Sequence, residues 1–324
     1  MLEEKVKKAQ DALKLAAKMS KEFYHAPLII CYSGGKDSDV LLDLALRCLN
    51  PDEFMVENSH TSVDAPQTVY HIRDVFEKVE HEGVETEVII PRYKDGKRKT
   101  MWNLIPKKSI PPTRFQRYCC EELKETTTPN RIVATGVRAD ESAGRKGRDI
   151  FAIRGNKKKD AKFFSLEHSQ EVFEESKDRD PIWDCTLIKR EREQGNVVVN
   201  AIYEFTEADI WNYINKFNVN VCNLYGCGYK RIGCIGCPLG GYTAQIKEFN
   251  DFPKYKDAYI RAFDQMIELR KQNGKGVNRK WNTGYECFVW WIQDPAFPNQ
   301  MDFTFDEDGN VSYVEHKNNY KSGQ

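Results

Sequence analysis

No stretch of the 324-residue chain approaches about 18 consecutive apolar residues, which leaves no candidate for a membrane-spanning helix. The opening Met1-Leu2-Glu3-Glu4-Lys5-Val6-Lys7-Lys8 lacks the apolar core of a secretory leader, so a cytoplasmic protein is expected. Formal net charge is +0, so no global field argues for a membrane surface or a nucleic acid. Histidine is scarce, at 6 residues, and His25, His71, His81, His168 and His316 show no ligand spacing. His60 is more simply a hydrogen-bonded structural histidine than a pocket residue. No internal repeat is visible. The composition is 40% hydrophobic and 30% charged, as in a globular protein of one large domain or one domain with an appendage. In a reducing compartment the 10 cysteines read as metal or redox chemistry rather than a disulfide framework.

Apolar positions at helical spacing predict a lead helix over 2–19. Strands at 28–32, 54–58 and 86–90 then alternate with helices at 38–48 and 66–81, the latter opened by Pro66. Such alternation predicts an α/β fold, a doubly wound and mainly parallel sheet. Residues 91–117 interrupt it. They hold nine Lys/Arg against the single acid Asp95, with four prolines, and read as a basic loop or insertion. Helix 118–127 and strand 131–136 resume the pattern. Residues 144–180 read as loop with short strands, and further strands are expected at 184–188 and 196–202. Thr206 caps a helix through Phe217. Helices over 241–272 and 285–293 follow, with at most a short strand at Phe303–Phe305. The expected division is a nucleotide-binding domain over 1–240 and a helical C-terminal extension over 241–324.

Within this frame, Ser33-Gly34-Gly35-Lys36-Asp37-Ser38 follows the apolar run Leu28–Tyr32 and opens a helix. A glycine turn at a helix start aims backbone N–H groups at one point and favours an anion. Lys36 adds positive charge, and Ser33 and Ser38 add donors. The spacing differs from G-x-x-x-x-G-K-[ST].

The second signal is Cys119-Cys120 with Cys234-Ile235-Gly236-Cys237. Four thiolates near tight glycine turns suit an Fe–S cluster or zinc. Cys222 and Cys227 extend the loop to C-x₄-C-x₆-C-x₂-C, so a local four-cysteine site is an alternative. Cys31, Cys48 and Cys185 read as small buried residues. Trp102, Trp183 and Trp211 read as packing aromatics, whereas Phe115 and Tyr118 interleave with Arg114 and Arg117 in a way that permits base stacking.

SGGKDS resembles the PP-loop of the ATP pyrophosphatases and sulfonucleotide reductases, and CC…CxxC resembles the [4Fe-4S] ligand set of adenylyl-sulfate reductases. Thr61-Ser62-Val63-Asp64 resembles that family's ribose- and adenine-side loop. Thr135-Gly136-Val137-Arg138-Ala139-Asp140-Glu141-Ser142 resembles its G-[IV]-R-x-x-[ED]-S turn. Asn223-Leu224-Tyr225 through Gly228-Tyr229-Lys230-Arg231 to Pro238 resembles its N-P-L-Y-x-x-G-Y-x-R-I-G-C-x-x-C-P segment. Over roughly residues 25–240 the chain is therefore similar to the cluster-bearing branch of the phosphoadenosine phosphosulfate (PAPS) reductase family. The resemblance implies an adenine nucleotide held by Ser33, Gly34, Gly35, Lys36, Asp37, Ser38, Thr61, Ser62, Asp64, Gly136, Arg138, Glu141, Arg145 and Arg231. It implies a cluster on Cys119, Cys120, Cys234 and Cys237, and Mg²⁺ on Asp37. Lys36, Asp37 and Arg138 would carry the catalysis.

One family element is missing. The reductases' C-terminal E-C-G-L-H nucleophile has no counterpart, since the last cysteine is Cys287 in an apolar aromatic segment. Three functions follow. An ATP-pyrophosphatase-type enzyme would activate an acceptor and transfer sulfur to it, and 91–117 would then touch a nucleic-acid acceptor. A sulfonucleotide reductase would use Cys287, Cys222 or Cys227 and an external thiol or other electron donor. A non-catalytic cluster-bearing regulator would work with a DNA-binding partner protein.

Overall fold

The computed structural model describes residues 2–124, 131–141, 145–154, 162–176, 196–274, 281–292, 301–305 and 311–315. In chain order the elements begin with α1 Leu2–Tyr24, β1 Leu28–Cys31, α2 Lys36–Cys48, β2 Phe54–Ser59, α3 Pro66–His81 and β3 Glu85–Ile89. Next come α4 Met101–Lys108, α5 Tyr118–Leu123, β4 Ile132–Ala134, β5 Phe151–Arg154, β6 Lys162–Phe164, α6 Leu166–Ser176 and β7 Asn196–Val199. The last are α7 Glu207–Phe217, α8 Tyr242–Asp251, α9 Pro253–Gln272, α10 Gly284–Trp291, β8 Met301–Phe305 and β9 Val311–Glu315. The chain divides into two compact units, one of residues 1–60, 64–91 and 123–233, the other of 61–63, 92–122 and 234–324.

The first unit is a seven-stranded sheet in the order β3-β2-β1-β4-β7-β5-β6. Five neighbours run parallel, with Ile30 opposite Val56 on one side and Ala134 on the other. Strands β5 and β6 complete one edge antiparallel. The apolar runs of β1 and β4 are buried, as expected of central parallel strands covered on both faces. Helix α1 presents Ala9, Ala12, Leu13 and Ala16 to the same core as Leu28, Ile30, Leu41 and Leu44. This is the α/β, mainly parallel architecture that the alternation predicts. Connections from β1 lead to β2 on one side, while β4 lies on the other, so the strand order reverses beside β1. Ligands of open α/β sheets bind at the carboxyl ends of the strands at such a point. Helices α3 and α7 fall where Pro66 and Thr206 place them, and Thr206 and Asp209 form a reciprocal capping box.

The second unit is mainly helical. Its centre is an aromatic cluster in which Tyr259 and Trp291 stand 4.7 Å apart and Phe249 and Phe288 5.0 Å apart. Strands β8 and β9 pair as an antiparallel hairpin.

Four sequence expectations change. The 91–117 segment is not all loop, because Thr100 and Asn103 cap helix α4 and Pro106 is accommodated inside it. Residues 166–176 are helical. Ser165 accepts from the His168 N–H, but Leu166, Val172 and Phe173 are the segment's only large apolar residues in sequence, a face too sparse to announce a helix. The 241–272 helix is two, broken at Phe252 ahead of Pro253, which disfavours helical backbone in the residue before it. The C-terminal region carries a hairpin rather than one short strand. The strand expected at 184–188 and the residues Trp183 and Cys185 lie outside the described residues.

Candidate functional site

The loop after β1 reaches the carboxyl end of the sheet beside its reversal point. Gly34 has φ 72°, and a Cβ there would stand 2.9 Å from Ile72 Cγ1 and 3.0 Å from Thr68 Cγ2. Only glycine meets both demands. Gly35 is the N-cap of α2 and offers no side-chain cap, so the helix start keeps amides available for an anion. Ser38 Oγ donates to the Gly35 carbonyl at 2.7 Å and accepts from Ser33 N at 3.2 Å, which closes the turn. Tyr225 Oη accepts from Lys36 N at 2.9 Å. Burial pushes the Tyr225 hydroxyl well above its ordinary value, so it stays a neutral partner.

Charge converges on the same spot. Arg138, 3% exposed, donates through Nε to Asp37 Oδ1 at 2.6 Å and through Nη2 to Glu207 Oε2 at 2.7 Å. Lys36, 5% exposed, sits 3.3 Å from Asp37 Oδ2 and 3.4 Å from Glu207 Oε1. Two buried cations therefore share two carboxylates. Gly136 makes this approach possible, since a Cβ there would lie 3.2 Å from the Asp37 carbonyl carbon. Sequence reasoning missed Glu207 as a site residue. It was visible as an acid in the first turn of α7, a position that the helix dipole explains by itself.

Glu141 accepts from Arg138 N at 3.3 Å and pairs with Arg145, so both residues brace the turn that carries Arg138. Arg231 is exposed and Asp64 half-buried. Beneath the loop Tyr32, Asp39 and His71 form a buried network, with His71 Nε2 2.9 Å from Asp39 Oδ1. Burial raises the Asp39 carboxyl. Thr61 and Ser62 belong to the second unit, where Ser62 takes φ 66° and its Oγ accepts from Met101 N at 2.9 Å.

The preferred cysteines all lie in the second unit. Cys119 is hydrogen-bonded to Cys120, and this, burial and the neighbouring thiols of Cys120, Cys234 and Cys237 push its thiol far above the ordinary value. Arg117 Nη2 stands 3.3 Å from Cys120 Sγ, and Cys234 Sγ 3.7 Å from Thr61 Oγ1. Among the described residues no three His, Cys, Asp or Glu side chains form a group that could hold a single metal ion. The CxxC turn is rigid. Gly236 has φ 74°, and a Cβ there would stand 2.5 Å from Phe249 Cζ. Gly236 N donates to Glu248 at 2.6 Å, its carbonyl accepts from Gln245 Nε2 at 2.9 Å, and Tyr259 Oη donates to Ile235 O at 3.0 Å. These three residues sit on α8 and α9, outside any motif. Of the remaining cysteines, Cys222 and Cys287 are buried, with thiols raised by burial, and Cys227 is exposed.

A glycine loop at the switch point of a doubly wound sheet, with buried lysine and arginine beside it, is an arrangement able to take an anionic group. Residues 27–239 match the phosphoadenosine phosphosulfate reductase domain, and the chain belongs to that family. It is 25% identical over 266 residues to an uncharacterized protein of Methanocaldococcus jannaschii, covering 78% of this chain and 45% of that protein. It is 24% identical over 199 residues to sulfate adenylyltransferase subunit 2 of Methylorubrum populi, covering 61% of this chain and 58% of that subunit. The chain thus spans about half the length of the curated relatives it matches. Among solved structures, phosphoadenylyl-sulfate (PAPS) reductase from Candida auris aligns at 16% identity and TM-score 0.41, over 70% of this chain and 87% of that one. The U34-tRNA thiolase NcsA from Methanococcus maripaludis aligns at 12% identity and TM-score 0.36, over 84% and 83%. No described helix is long and apolar enough to cross a membrane.

Proposed function

We propose that the chain is an ATP-pyrophosphatase-type enzyme that activates an acceptor and transfers sulfur to it. The observation that carries this reading is the network at the start of α2 in which buried Lys36 and Arg138 share Asp37 and Glu207. The β- and γ-phosphates of ATP would take the α2 amides and draw on Lys36 and Arg138. Asp37, released from part of its ion pairing, would hold Mg²⁺. An acceptor carbonyl oxygen attacks the α-phosphorus, and the bond to the bridging oxygen breaks. Pyrophosphate leaves with its charge balanced by Lys36 and Arg138. Hydrosulfide sulfur then bonds to the activated carbon and expels AMP, which carries away the original oxygen. No net oxidation or reduction is needed.

The donor set of Cys119, Cys120, Cys234 and Cys237 fits an Fe–S cluster. Cys119, Cys120, Cys234 and Cys237 lie in one unit, and the iron of a bound cluster would offset the disfavour that the neighbouring thiols impose on the Cys119 thiolate. Bound there, a cluster would supply electron relay, and it would hold inorganic sulfur only where one of the four thiolates leaves its iron open.

Reduction of a sulfonucleotide is the competing reading. It lacks a nucleophile at Cys287, which is fully buried among the aromatics of α10 with its thiol raised. The test is anaerobic incubation of the protein with Mg²⁺, a dithiol, ATP, adenylyl sulfate and PAPS, followed by quantification of AMP, pyrophosphate and sulfite. Pyrophosphate and AMP without sulfite are expected. Sulfite release would overturn the proposal in favour of reduction.

A further inference from the structure

We infer that the turn Thr113–Gln116 is a stacking platform for an unpaired base of an RNA acceptor. This rests on the sulfur-transfer reading and names its acceptor class. Phe115 is 84% exposed, the highest value among the large hydrophobic side chains described. A floppy loop could leave a ring outside, but this turn is not floppy. Thr113 N donates to the Gln116 carbonyl at 3.1 Å, and Gln116 N returns a bond to Thr113 Oγ1 at 3.0 Å. Its stem is Pro111-Pro112, both buried, with two φ angles set by their rings. The backbone leading into it is pinned at three carbonyls. Arg270 donates to Ser109 O at 2.7 Å, Tyr118 Oη to Ile110 O at 2.8 Å, and Trp291 Nε1 to Pro112 O at 2.5 Å. The fold therefore holds an aromatic ring in water on a braced tip.

The flanking residues say what the ring is for. Arg114 Nε donates to the Pro238 carbonyl at 3.0 Å, directly after Cys237, and Arg117 reaches Cys120 Sγ. The platform thus adjoins the cysteine centre through both of its neighbouring arginines. The same segment exposes Lys94, Lys97, Arg98 and Lys107, and its only acid is Asp95. A braced ring flanked in the chain by Arg114 and Arg117 matches a base stacked beside a phosphodiester backbone. An apolar protein knob would want a pocket rather than a projecting tip. RNA is the favoured source because its loops offer unpaired bases without the unstacking that a duplex demands.

The experiment uses the full chain with its metal centre reconstituted. Binding of a short fluorescein-labelled single-stranded RNA of mixed sequence, its DNA counterpart and the RNA duplex is followed by anisotropy across a salt series. RNA binding should weaken about 5- to 100-fold in Phe115→Ala, hold within about two-fold in Phe115→Trp, and exceed binding of the duplex. Lys107→Gln should make the salt dependence shallower by about 0.7 in log–log slope. Unchanged affinity in Phe115→Ala, or no RNA binding at low salt, would overturn the inference, and equal affinity for the DNA strand would overturn the choice of RNA. ATP turnover of the wild-type protein is measured separately. RNA binding without pyrophosphate release would sink the sulfur-transfer reading alone, and pyrophosphate release with Phe115→Ala indifferent would sink the platform alone.

Discussion

Gly34 in the phosphate loop and Gly236 in the cysteine loop have nearly the same backbone, at φ 72° and 74°. Their surroundings differ. Around the first, hydroxyls close the turn and two cations share two carboxylates, while the helix start above it keeps no side-chain cap. Around the second, aromatic rings fill the space, and the polar groups of Ile235 and Gly236 are already bonded to Val63, Tyr259, Glu248 and Gln245. On the proposed reading, the first loop would neutralise its own charges until an anion arrives. On the same reading, the second would saturate the backbone around Ile235 and Gly236, so that sulfur is the reactive group left. Charge organises one loop and packing organises the other.

The sharpest way to break this contrast is alanine at each glycine. Gly236→Ala forces a Cβ into Phe249 at an unfavourable φ. It should destabilise the protein by about 3 kcal/mol, lower Tm by roughly 5–10 °C and reduce the iron retained after reconstitution. Gly34→Ala meets Ile72 Cγ1 at 2.9 Å and the Thr68 methyl at 3.0 Å, a milder clash than the 2.5 Å at Gly236, so Tm should fall by less, while ATP affinity drops at least roughly tenfold. If both variants lose stability equally and both keep ATP binding, the division between packing and charge fails.

Arg138→Ala comes next. It leaves Lys36 as the cation that Asp37 and Glu207 still share. Because Glu207 is half exposed, the stability loss should be about 1–3 kcal/mol rather than that of a fully buried pair. Pyrophosphate release should fall roughly a hundredfold, and Arg138→Lys should recover stability better than activity, since it keeps charge and loses the fork. Urea midpoints and initial rates check both halves.

Tyr259→Phe removes one bond to the Ile235 carbonyl and no packing. A loss of about 1 kcal/mol in denaturant unfolding is expected, with iron binding weakened and ATP binding untouched. A fall in ATP affinity would show that the two loops are energetically linked.

The smallest effect concerns pH. Burial opposes it, but Lys5 and the Thr206 cap outweigh burial and hold Asp209 down to about 2. The folded value lies below the unfolded one, so this carboxylate stabilises the protein above about pH 4, and the contribution disappears as pH falls towards 2. Asp209→Asn should flatten acid unfolding in that window by about 0.5–1 kcal/mol, a figure discounted for solvent screening. Identical acid-unfolding curves would remove the pair from the account.

Much of the first unit was legible in the chain. Strands at 28–31 and 54–59, helix 66–81 with Pro66 and helix 207–217 behind Thr206 follow local rules of burial, capping and proline geometry. Helix α4 was hidden because Pro106 reads as a breaker, although Thr100 and Asn103 announce the start. Helix α6 was hidden because its apolar face is sparse.

SGGKDS, Arg138 and the four cysteines could be picked out because each is a short string with local chemical meaning. Glu207, Gln245, Glu248 and Tyr259 could not, because an acid in a first helical turn or a tyrosine on an amphipathic face is explained without a site. From the sequence came the periodicity of the sheet, the glycine turn at a helix start and the supply of thiols, all properties of neighbours along the chain. The tertiary structure decided that Arg138 meets Asp37 across 101 positions, that three residues of α8 and α9 lock the CxxC turn, and that Phe115 stands out in water. Those outcomes depend on which surfaces pack together, and pairings between distant residues leave no mark on the local pattern.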